Sequence, residues 1–389
     1  MKILLHADAV GGVFAYAVEL ARGLAVRGVR VVLATEGAQL SAEQLAQLAA
    51  IPGLVHHESV YRLEWMEDPW EDVERAGAWL LAVERRERPD VVHLSSYAHG
   101  ALPFRAPRVL VAHSCVLSWY EAVRGAAAPP AWDRYREAIR AGLRAADALV
   151  APTEAMARAL LRHHGPLPRP RVILNGRDPA QFATGEKLPL VLAAGRVSDE
   201  AKNAAGVVRA APRCPWPVAI AGAYEPTPPE GAQVHPPGKT PAPESLRPGH
   251  AHLLGRLGAR ALAGWMGRAA VFAHPARYEP FGLAVLEAAL SGCALVLGDL
   301  ESLRELWDGS ALFVPAGDDA ALAGALRALA VDRRGRAVFA AAARARALRL
   351  GADRMTESYL SLYRSLGVGP RTRWRGGLGA QAAPGEAGP

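Results

Sequence analysis

The chain has 389 residues, of which 51% are hydrophobic and 21% are charged, with a formal net charge of +7 at pH 7. This balance is typical of a soluble globular protein and excludes a fibrous or disordered chain, and the length exceeds what one hydrophobic core usually organises. No stretch reaches the roughly 18 uncharged apolar residues of a membrane span, and the opening apolar run is too short for a signal peptide, so we predict a cytoplasmic protein.

Short runs rich in Val, Ile and Leu alternate with longer amphipathic segments in both halves, which is the pattern of βαβ units and parallel sheets. A helix is predicted from about Val13 to Arg27, after the first strand. The predicted strands of the first half are KILLHA, VRVVLAT, VVHLS, RVLVAH and ALVAP. Those of the second half are LPLVLAAG, PVAIAGA, HLLGR, AAVFAHP, CALVLGD and ALFVP. We therefore expect two doubly wound α/β domains, with a ligand-binding cleft between them.

The boundary between the two series is predicted at RVILNGRDPAQF, where Asn-Gly and Asp-Pro are strong turn signals. Residues 1–175 are assigned to the first domain and residues 176–350 to the second. Residues 351–367 form a predicted C-terminal helix, for which packing back on the first domain is one option. The tail, 368–389, is rich in Gly, Pro and Ala and is predicted to be disordered.

Eleven prolines lie between Pro212 and Pro248. Proline lacks a backbone N–H and breaks helices, so residues 224–250 are predicted to form a long loop.

The positive net charge favours acidic partners, including nucleotides and anionic lipid. Arg136, Arg140 and Arg144 make a basic stripe at helical spacing. This stripe is either a solvated helix face or a peripheral contact with the inner membrane surface or an acidic acceptor. No aromatic platform or recognised basic module is present, so no nucleic-acid partner is expected.

The segment YEPFGLAVLEAALSGCALVLGD places one acid, Glu287, among apolar and small residues. Pro280 suits the first position of a helix, so a helix is predicted to begin just after Glu279. The free amides of Phe281, Gly282 and Leu283 would then form an anion site that phosphate fits.

Both acids of this segment need polar partners. A buried carboxylate requires donors, which a ribose could supply to Glu287 and a sugar ring to Glu279. The alternative is that Glu287 pairs with a nearby arginine and that Glu279 only caps the helix.

The segment LPLVLAAGRVSDEAKN places Arg196 and Lys202 after a buried strand. Ligands bind at the carboxyl ends of strands in open α/β sheets, and two cations there could neutralise a diphosphate leaving group without a metal. Ordinary surface cations are the alternative.

Two features of the first half could complete the site. Gly11 and Gly12 lie between the first strand and the first helix, where a turn can bring amides close to a phosphate. His113 ends a predicted strand and could reach a sugar hydroxyl or carry a proton, unless it is structural. The glycines do not follow the dinucleotide-binding pattern G-x-G-x-x-G.

Together these segments resemble the retaining glycosyltransferases of family 4, which have the GT-B fold of two facing Rossmann-like domains. The segment from Glu279 to Glu287 carries the family's E-x7-E signature with its usual E-P-F-G-L beginning. GRVSDEAKN, VILNGRD and GGVFAYAVELARGL are similar to the family's G-R…K segment, linker and first helix. Two features differ: the proline-rich segment replaces a helix, and Arg177 follows the linker glycine where a small apolar residue is common.

The resemblance implies an acceptor-binding first domain and a second domain that binds a nucleoside diphosphate sugar, with no other cofactor and no metal. Arg196 and Lys202 would hold the diphosphate. Glu279 would contact the hydroxyls of the transferred sugar, and Glu287 would contact the ribose.

The remaining implied roles concern phosphate and the reacting carbon. The amides of residues 281–283 would bind phosphate and donor sugar, Gly11 and Gly12 would lie at the phosphate region, and His113 would contact the sugar near the reacting carbon. We expect a retaining hexosyltransferase whose acceptor, a sugar, lipid or small molecule, is left open. The alternatives are a GT-B epimerase or phosphorylase and a non-catalytic sugar-nucleotide-binding homologue.

Overall fold

The computed structural model describes residues 1–224, 228–235 and 239–367. The disordered tail predicted over 368–389 and parts of the proline-rich segment lie outside these residues. Within them, two seven-stranded parallel sheets succeed one another along the chain, which confirms the predicted two-sheet α/β fold. None of the described helices combines the length and apolar character that a bilayer crossing needs.

The N-terminal sheet has the strand order β3-β2-β1-β4-β5-β6-β7. Its strands are β1 (Lys2–Asp8), β2 (Arg30–Glu36), β3 (Val55–Glu58), β4 (Val91–Leu94), β5 (Arg108–Val111), β6 (Ala148–Ala151) and β7 (Arg171–Val172). Its helices are α1 (Gly12–Val26), α2 (Ala42–Ala49), α3 (Trp70–Glu87), α4 (Val116–Arg124), α5 (Asp133–Ala145) and α6 (Glu154–His164). Hydrophobic cores cover both faces of the sheet, which is why its central strands are almost continuously apolar.

The C-terminal sheet has the order β10-β11-β9-β8-β12-β13-β14 and is likewise covered on both faces. Its strands are β8 (Leu188–Ala194), β9 (Val218–Ala221), β10 (Gln233–Val234), β11 (Ala251–Gly255), β12 (Ala269–His274), β13 (Ala294–Gly298) and β14 (Leu312–Val314). The helices from this part of the chain onward are α7 (Ala204–Ala210), α8 (Ala259–Arg268), α9 (Leu283–Leu290), α10 (Glu301–Trp307), α11 (Asp319–Val331), α12 (Arg333–Ala347) and α13 (Ala352–Ser365).

Three short strands, β3, β7 and β10, occur where no strand is predicted. Their sequences, VHHE, RV and QV, are too short or too polar to form an apolar run. The expectation of a plain loop over 224–250 is therefore wrong in one respect, because β10 pairs with β11 at the edge of the sheet. No α-helix occurs in the part of this segment that the structure describes, as its prolines predict.

The chain crosses between the two domains at two neighbouring segments, which are bonded to each other. The Arg177 N–H donates to the Leu350 carbonyl at 3.1 Å, and the Ala352 N–H donates to the Arg177 carbonyl at 3.2 Å. A Cβ atom on Gly176 would lie 2.4 Å from the carbonyl oxygen of Gly351. Glycine at position 176 therefore allows the two crossing segments to approach this closely.

After the second crossing, α13 packs against the N-terminal domain. Met355, Tyr359 and Tyr363 belong to the same buried core as α1. His93, in β4, is hydrogen-bonded to the hydroxyls of Tyr363 at 2.7 Å and Tyr16 at 3.1 Å. The last helix thus contributes to the core of the domain that begins the chain.

Each domain also supplies a carboxylate to the start of a helix in the other domain. Glu305 accepts hydrogen bonds from the amides of Glu154 at 2.9 Å and Ala155 at 3.0 Å, at the start of α6. Glu43 accepts one from the Ala259 amide at 2.8 Å, at the start of α8. Free amides and the positive end of the helix dipole favour an anion there, so these contacts stabilise the docking of the domains.

Replacing His93 with Gln should flatten the loss of stability in acid. Burial lowers the pKa of His93 from 6.5 to about 3, so below pH 6.5 the unfolded chain binds a proton that the folded protein excludes. Wild-type stability should therefore fall as the pH drops from 6.5 towards 3, and this residue should account for about 2 kcal/mol of the fall at pH ~5. Urea unfolding of both proteins at neutral pH and at pH ~5 measures the difference.

His163→Gln is the control, because His163 is partly exposed and pairs with the exposed Glu121. It should keep the wild-type pH dependence. Equal pH slopes in wild type and H93Q would contradict the role given to His93.

Candidate active site

The polar residues of the C-terminal domain gather at the carboxyl ends of β8 and β12. Arg196 follows β8, Lys202 ends a short 3-10 turn, Glu200–Lys202, and His274 is the last residue of β12. The loop after β12 is tied to that turn, because the Arg277 N–H donates to the Ala201 carbonyl at 2.8 Å. Two segments distant in sequence are therefore held together as one site.

Glu279 lies at the centre of this group. One of its carboxylate oxygens is 2.8 Å from Lys202 Nζ and 2.9 Å from His274 Nε2, and only 12% of its side chain is exposed. Burial by itself raises the pKa of Glu279, but Lys202 and His274 outweigh burial and hold that pKa well below its usual range. Glu279 is therefore ionised at neutral pH.

Gly195 explains how Lys202 reaches this position. The backbone of Gly195 has a φ of +154°, and a Cβ atom there would lie 3.3 Å from Lys202 Cγ. The side chain of Lys202 thus runs along a surface that a larger residue would obstruct. This contact gives a physical reason for the Gly-Arg…Lys spacing.

Arg196, unlike Lys202, does not contact Glu279. Its guanidinium is 3.1 Å from Asp199 and lies over the ring of Trp65, with 5.6 Å between guanidinium carbon and ring centroid. Trp65 belongs to the N-terminal domain, and about half of the Arg196 side chain, 52%, remains exposed. Arg196 therefore makes a cation–π contact across the cleft, while Lys202 faces Glu279.

The helix after Glu279 begins later than predicted. The expectation that it starts just after Glu279, with Pro280 in its first position, is wrong, because α9 begins at Leu283 and Gly282 precedes it with a φ of +88°. A residue with positive φ cannot continue a helix, so residues 280–282 form the turn that leads into it. The first intrahelical bond runs from the Leu286 N–H to the Gly282 carbonyl. The free amides at the helix start are thus those of residues 283–285.

This helix start faces the first turn of the N-terminal domain. A Cβ atom on Gly12, the first residue of α1, would lie 3.5 Å from Leu283 Cδ1. Gly11, which precedes α1, has a φ of +79°, so α1 also begins after a glycine with positive φ. The predicted glycine turn and the predicted anion site therefore lie opposite each other across the cleft.

His113 also lies at the cleft, just beyond the end of β5. Its Nε2 is 3.2 Å from Ser95 Oγ, and its ring contacts Tyr16 edge to face with 4.5 Å between centroids. Burial lowers the pKa of His113 to about 3, so the ring is neutral at physiological pH. Two residues on, the Cys115 amide donates to the Tyr278 hydroxyl at 3.0 Å, which links this segment to the residue before Glu279.

Glu287 has an arginine partner. Its Oε1 is 3.0 Å from Arg177 Nε, and Arg177 Nη1 is 2.7 Å from Glu19 of α1. Burial raises the pKa of Glu287, with Arg177 lowering it and Glu19 raising it further. The pairing with arginine considered from the sequence is therefore present, while 14% of the Glu287 side chain remains exposed.

Sequence reasoning did not identify His274, Trp65, Tyr278 and Glu19 as members of this region. His274 lies at the end of a predicted strand, as His113 does, so the same signal could have found it. Trp65, Tyr278 and Glu19 approach the site through contacts between the domains, which no local pattern reveals.

A second polar cluster is buried at the carboxyl edge of the N-terminal sheet. One oxygen of Glu36 accepts hydrogen bonds from His6 Nε2 at 3.1 Å and His99 Nε2 at 3.2 Å. Among the described residues, this is the one group of at least three His, Cys, Asp or Glu side chains whose ligand atoms lie within 4.8 Å of one another. Burial alone raises the pKa of Glu36, but the imidazoles outweigh it and hold the pKa at about 2. The Nε2 atoms of His6 and His99 thus share one carboxylate oxygen, whereas His6 Nδ1 is buried without a hydrogen-bond partner among the described residues, and the absence of a metal stays a prediction.

Comparison with known proteins agrees with this geometry. Residues 10–181 match the model of Glycosyltransferase Family 4, and residues 188–332 match that of Glycosyl transferases group 1. The two models together cover most of the chain and show a glycosyltransferase of the family 4 type, and its two sheets match those of GT-B glycosyltransferase structures. No curated protein sequence matches it at a significant level.

Solved structures share the whole fold at low sequence identity. Sucrose-phosphate synthase from Thermosynechococcus elongatus superposes with a TM-score of 0.72 at 19% identity, covering 94% of this chain and 99% of that one. HepE from Anabaena, in complex with UDP and glucose, gives 0.71 at 17% identity, covering 94% and 100%. A glycosyltransferase from Rickettsia africae gives 0.68 at 15%, covering 94% and 98%.

Gly282→Ala should distort the start of α9. An alanine at this position would be forced into a positive φ, and its Cβ would lie 3.1 Å from Val285 Cγ2. We therefore expect the free energy of unfolding to fall by about 1–2 kcal/mol. Urea denaturation measures this cost. Gly264→Ala is the control, because a Cβ at Gly264 in α8 meets no atom within 4 Å, and helix propensity should make it neutral or slightly stabilising. Equal stability of the two variants would contradict the requirement for glycine at position 282.

Proposed function

We propose that this glycosyltransferase moves a hexose from a nucleoside diphosphate sugar to an acceptor hydroxyl with retention at the anomeric carbon. The observation that carries the proposal is the ionised Glu279, held by Lys202 and His274 beside the start of α9 and next to Tyr278, which contacts the other domain. A carboxylate for sugar hydroxyls, a cation for phosphate and free amides lie together there.

In this proposal the C-terminal domain binds the donor. Arg196 and Lys202 hold the diphosphate, and the amides at the start of α9 bind a phosphate oxygen. Glu279 accepts hydrogen bonds from hydroxyls of the transferred sugar, and Glu287 accepts them from the ribose. UDP is the first nucleotide to test, because HepE, with the same fold, is seen with UDP-glucose.

The N-terminal domain completes the reacting centre. The neutral ring of His113 can hydrogen-bond the sugar near the anomeric carbon, while Gly11 and Gly12 allow α1 to approach the phosphate region without a side chain between. The acceptor hydroxyl attacks on the face that the diphosphate leaves. The sugar–phosphate bond breaks, the new glycosidic bond forms, and a diphosphate oxygen takes the acceptor proton. The two cations and the helix start supply positive charge for this step, so we propose that it needs no metal.

For the acceptor we propose only a chemical class, and for the protein's location in the cell only a general compartment. A sugar, a lipid or a small molecule would each supply a hydroxyl. Peripheral contact with the inner membrane surface would involve Arg136, Arg140 and Arg144, of which Arg136 pairs with Asp133 and donates to the Ala128 carbonyl. A cytoplasmic enzyme acting on a soluble acceptor is the simpler form of the proposal.

The function is tested by incubating the purified protein with UDP-, GDP- and ADP-hexoses, with and without EDTA, and measuring the released nucleoside diphosphate. We expect one base to support release, undiminished by EDTA, and NMR of the product to show retained anomeric configuration. Failure of every donor to bind would favour a role without sugar transfer. A product with inverted anomeric configuration would exclude retention. A donor that is epimerised or phosphorolysed without transfer would identify an epimerase or a phosphorylase of this fold.

Lys202→Ala should weaken binding of the nucleoside diphosphate by roughly 10- to 100-fold, since a hydrogen bond to a charged group contributes about 1.5–3 kcal/mol. Arg196→Ala should have a smaller effect, because Arg196 is the more exposed of the two cations. Isothermal titration with UDP, GDP and ADP measures both. Arg209→Gln is the control, since Arg209 pairs with Asp319 at the surface of the same domain. Unchanged affinity in both alanine variants would overturn their assignment.

A further inference from the structure

Arg177 lies where the chain crosses between the two domains. Its backbone makes the two hydrogen bonds that join the crossing segments, and its side chain is buried, with 10% exposed. The guanidinium also lies over the ring of Phe182, 5.2 Å from its centroid. Few conformations are open to a side chain held at both its backbone and its head group.

The guanidinium bridges carboxylates from the two domains. Nη1 donates to Glu19 of α1 at 2.7 Å, and Nε lies 3.0 Å from Glu287 of α9. The Nε–H is not aligned well enough to be hydrogen-bonded, so its contact with Glu287 is electrostatic. Gln181 donates to both oxygens of Glu19, at 3.0 and 3.2 Å, which fixes the orientation of that acid.

The charges around Glu287 do not balance without Arg177. Among the described residues, the charged groups that act on Glu287 are Arg177 and Glu19. The cations of neighbouring elements bind carbonyl groups at the other end of α9: Arg344 donates to the Leu290 carbonyl and Lys187 to that of Ser291. Without the guanidinium, two buried carboxylates would face each other, and one of them would take up a proton.

We propose that Arg177 is a positioning residue that holds Glu287 ionised and oriented towards the donor, and that it joins this acid to the N-terminal domain through Glu19. The inference rests on the proposed function, in which Glu287 accepts hydrogen bonds from the ribose. It also explains why an arginine follows the linker glycine in this chain. The family's small apolar residue could not bridge two acids.

The test is the pH dependence of nucleotide binding. UDP, GDP and ADP are titrated calorimetrically into wild type, R177Q, R177K and R22Q at about pH 6, 7 and 8.5. Arg22 is the matched control, because it lies 3.9 Å from Glu19, with 34% of its side chain exposed, and Glu287 is not its partner. Circular dichroism confirms that each variant is folded, and R177K supplies a charged variant should R177Q not fold.

We expect wild type and R22Q to bind one of the three nucleotides with the same dependence on pH. R177Q should bind it at least tenfold more weakly at pH ~7 and should regain affinity as the pH rises. The sign follows because loss of the cation raises the pKa of Glu287 further, so the carboxylate returns only at higher pH. R177K should lose less affinity, because it keeps the charge but cannot reach both acids.

A second substitution separates positioning from a general structural role. Adding E19Q to R177Q removes the repelling acid, so Glu287 should ionise more readily and part of the affinity at pH ~7 should return. If Arg177 only supported the fold, the double variant would bind more weakly than R177Q, and that result would overturn the inference. It would also be overturned if R177Q bound nucleotide like R22Q at every pH. If wild type bound none of the three nucleotides, the proposed function would fall, and this inference with it.

Discussion

The candidate site depends on how two largely buried acids of one short segment, Glu279 and Glu287, are neutralised. Glu279 obtains its partners inside its own domain, from a turn after β8 and from the end of β12. Glu287 obtains its partner from the linker, and that arginine is shared with an acid of the other domain. The two ends of the E-x7-E signature are therefore held differently. The first is fixed within the C-terminal domain, whereas the second is sensitive to how the domains are placed.

Several contacts fix how the two domains are placed relative to each other. The two crossing segments are bonded to each other, α13 inserts aromatic side chains into the core of the first domain, and Glu305 and Glu43 each cap a helix of the opposite domain. Near the candidate site, a ring lies under Arg196, Leu283 approaches Gly12, and the Cys115 amide donates to the Tyr278 hydroxyl. Together these contacts fix the relative placement of the domains, on which the surroundings of Glu287 depend.

Much of this arrangement could be predicted from the sequence because it is local. Buried parallel strands appear in the sequence as continuous apolar runs. The acids, glycines and cations that follow these runs stand out because they interrupt the apolar pattern. The predicted start of α9 is wrong because it relies on the preference of proline for the first position of a helix. The structure shows that Gly282 has a positive φ and that the helix begins after it. Glu19, Trp65 and Tyr278 could not be assigned, because their relevance comes from the docking of two domains. Arg177 was visible as an unusual residue, but its burial between two acids was not.

The carboxylates paired with Lys202 and Arg196 would affect release of the nucleoside diphosphate as well as its binding. Lys202 pairs with Glu279 at 2.8 Å, and Arg196 pairs with Asp199 at 3.1 Å. If the pair holds a diphosphate as proposed, the ligand must share each cation with a carboxylate that is already in contact with it. This competition lowers the affinity for the nucleoside diphosphate relative to a site with free cations. A transferase must release that product after every turnover, and under the proposed roles of Lys202 and Arg196 the neighbouring acids would shorten the time for which the product stays bound.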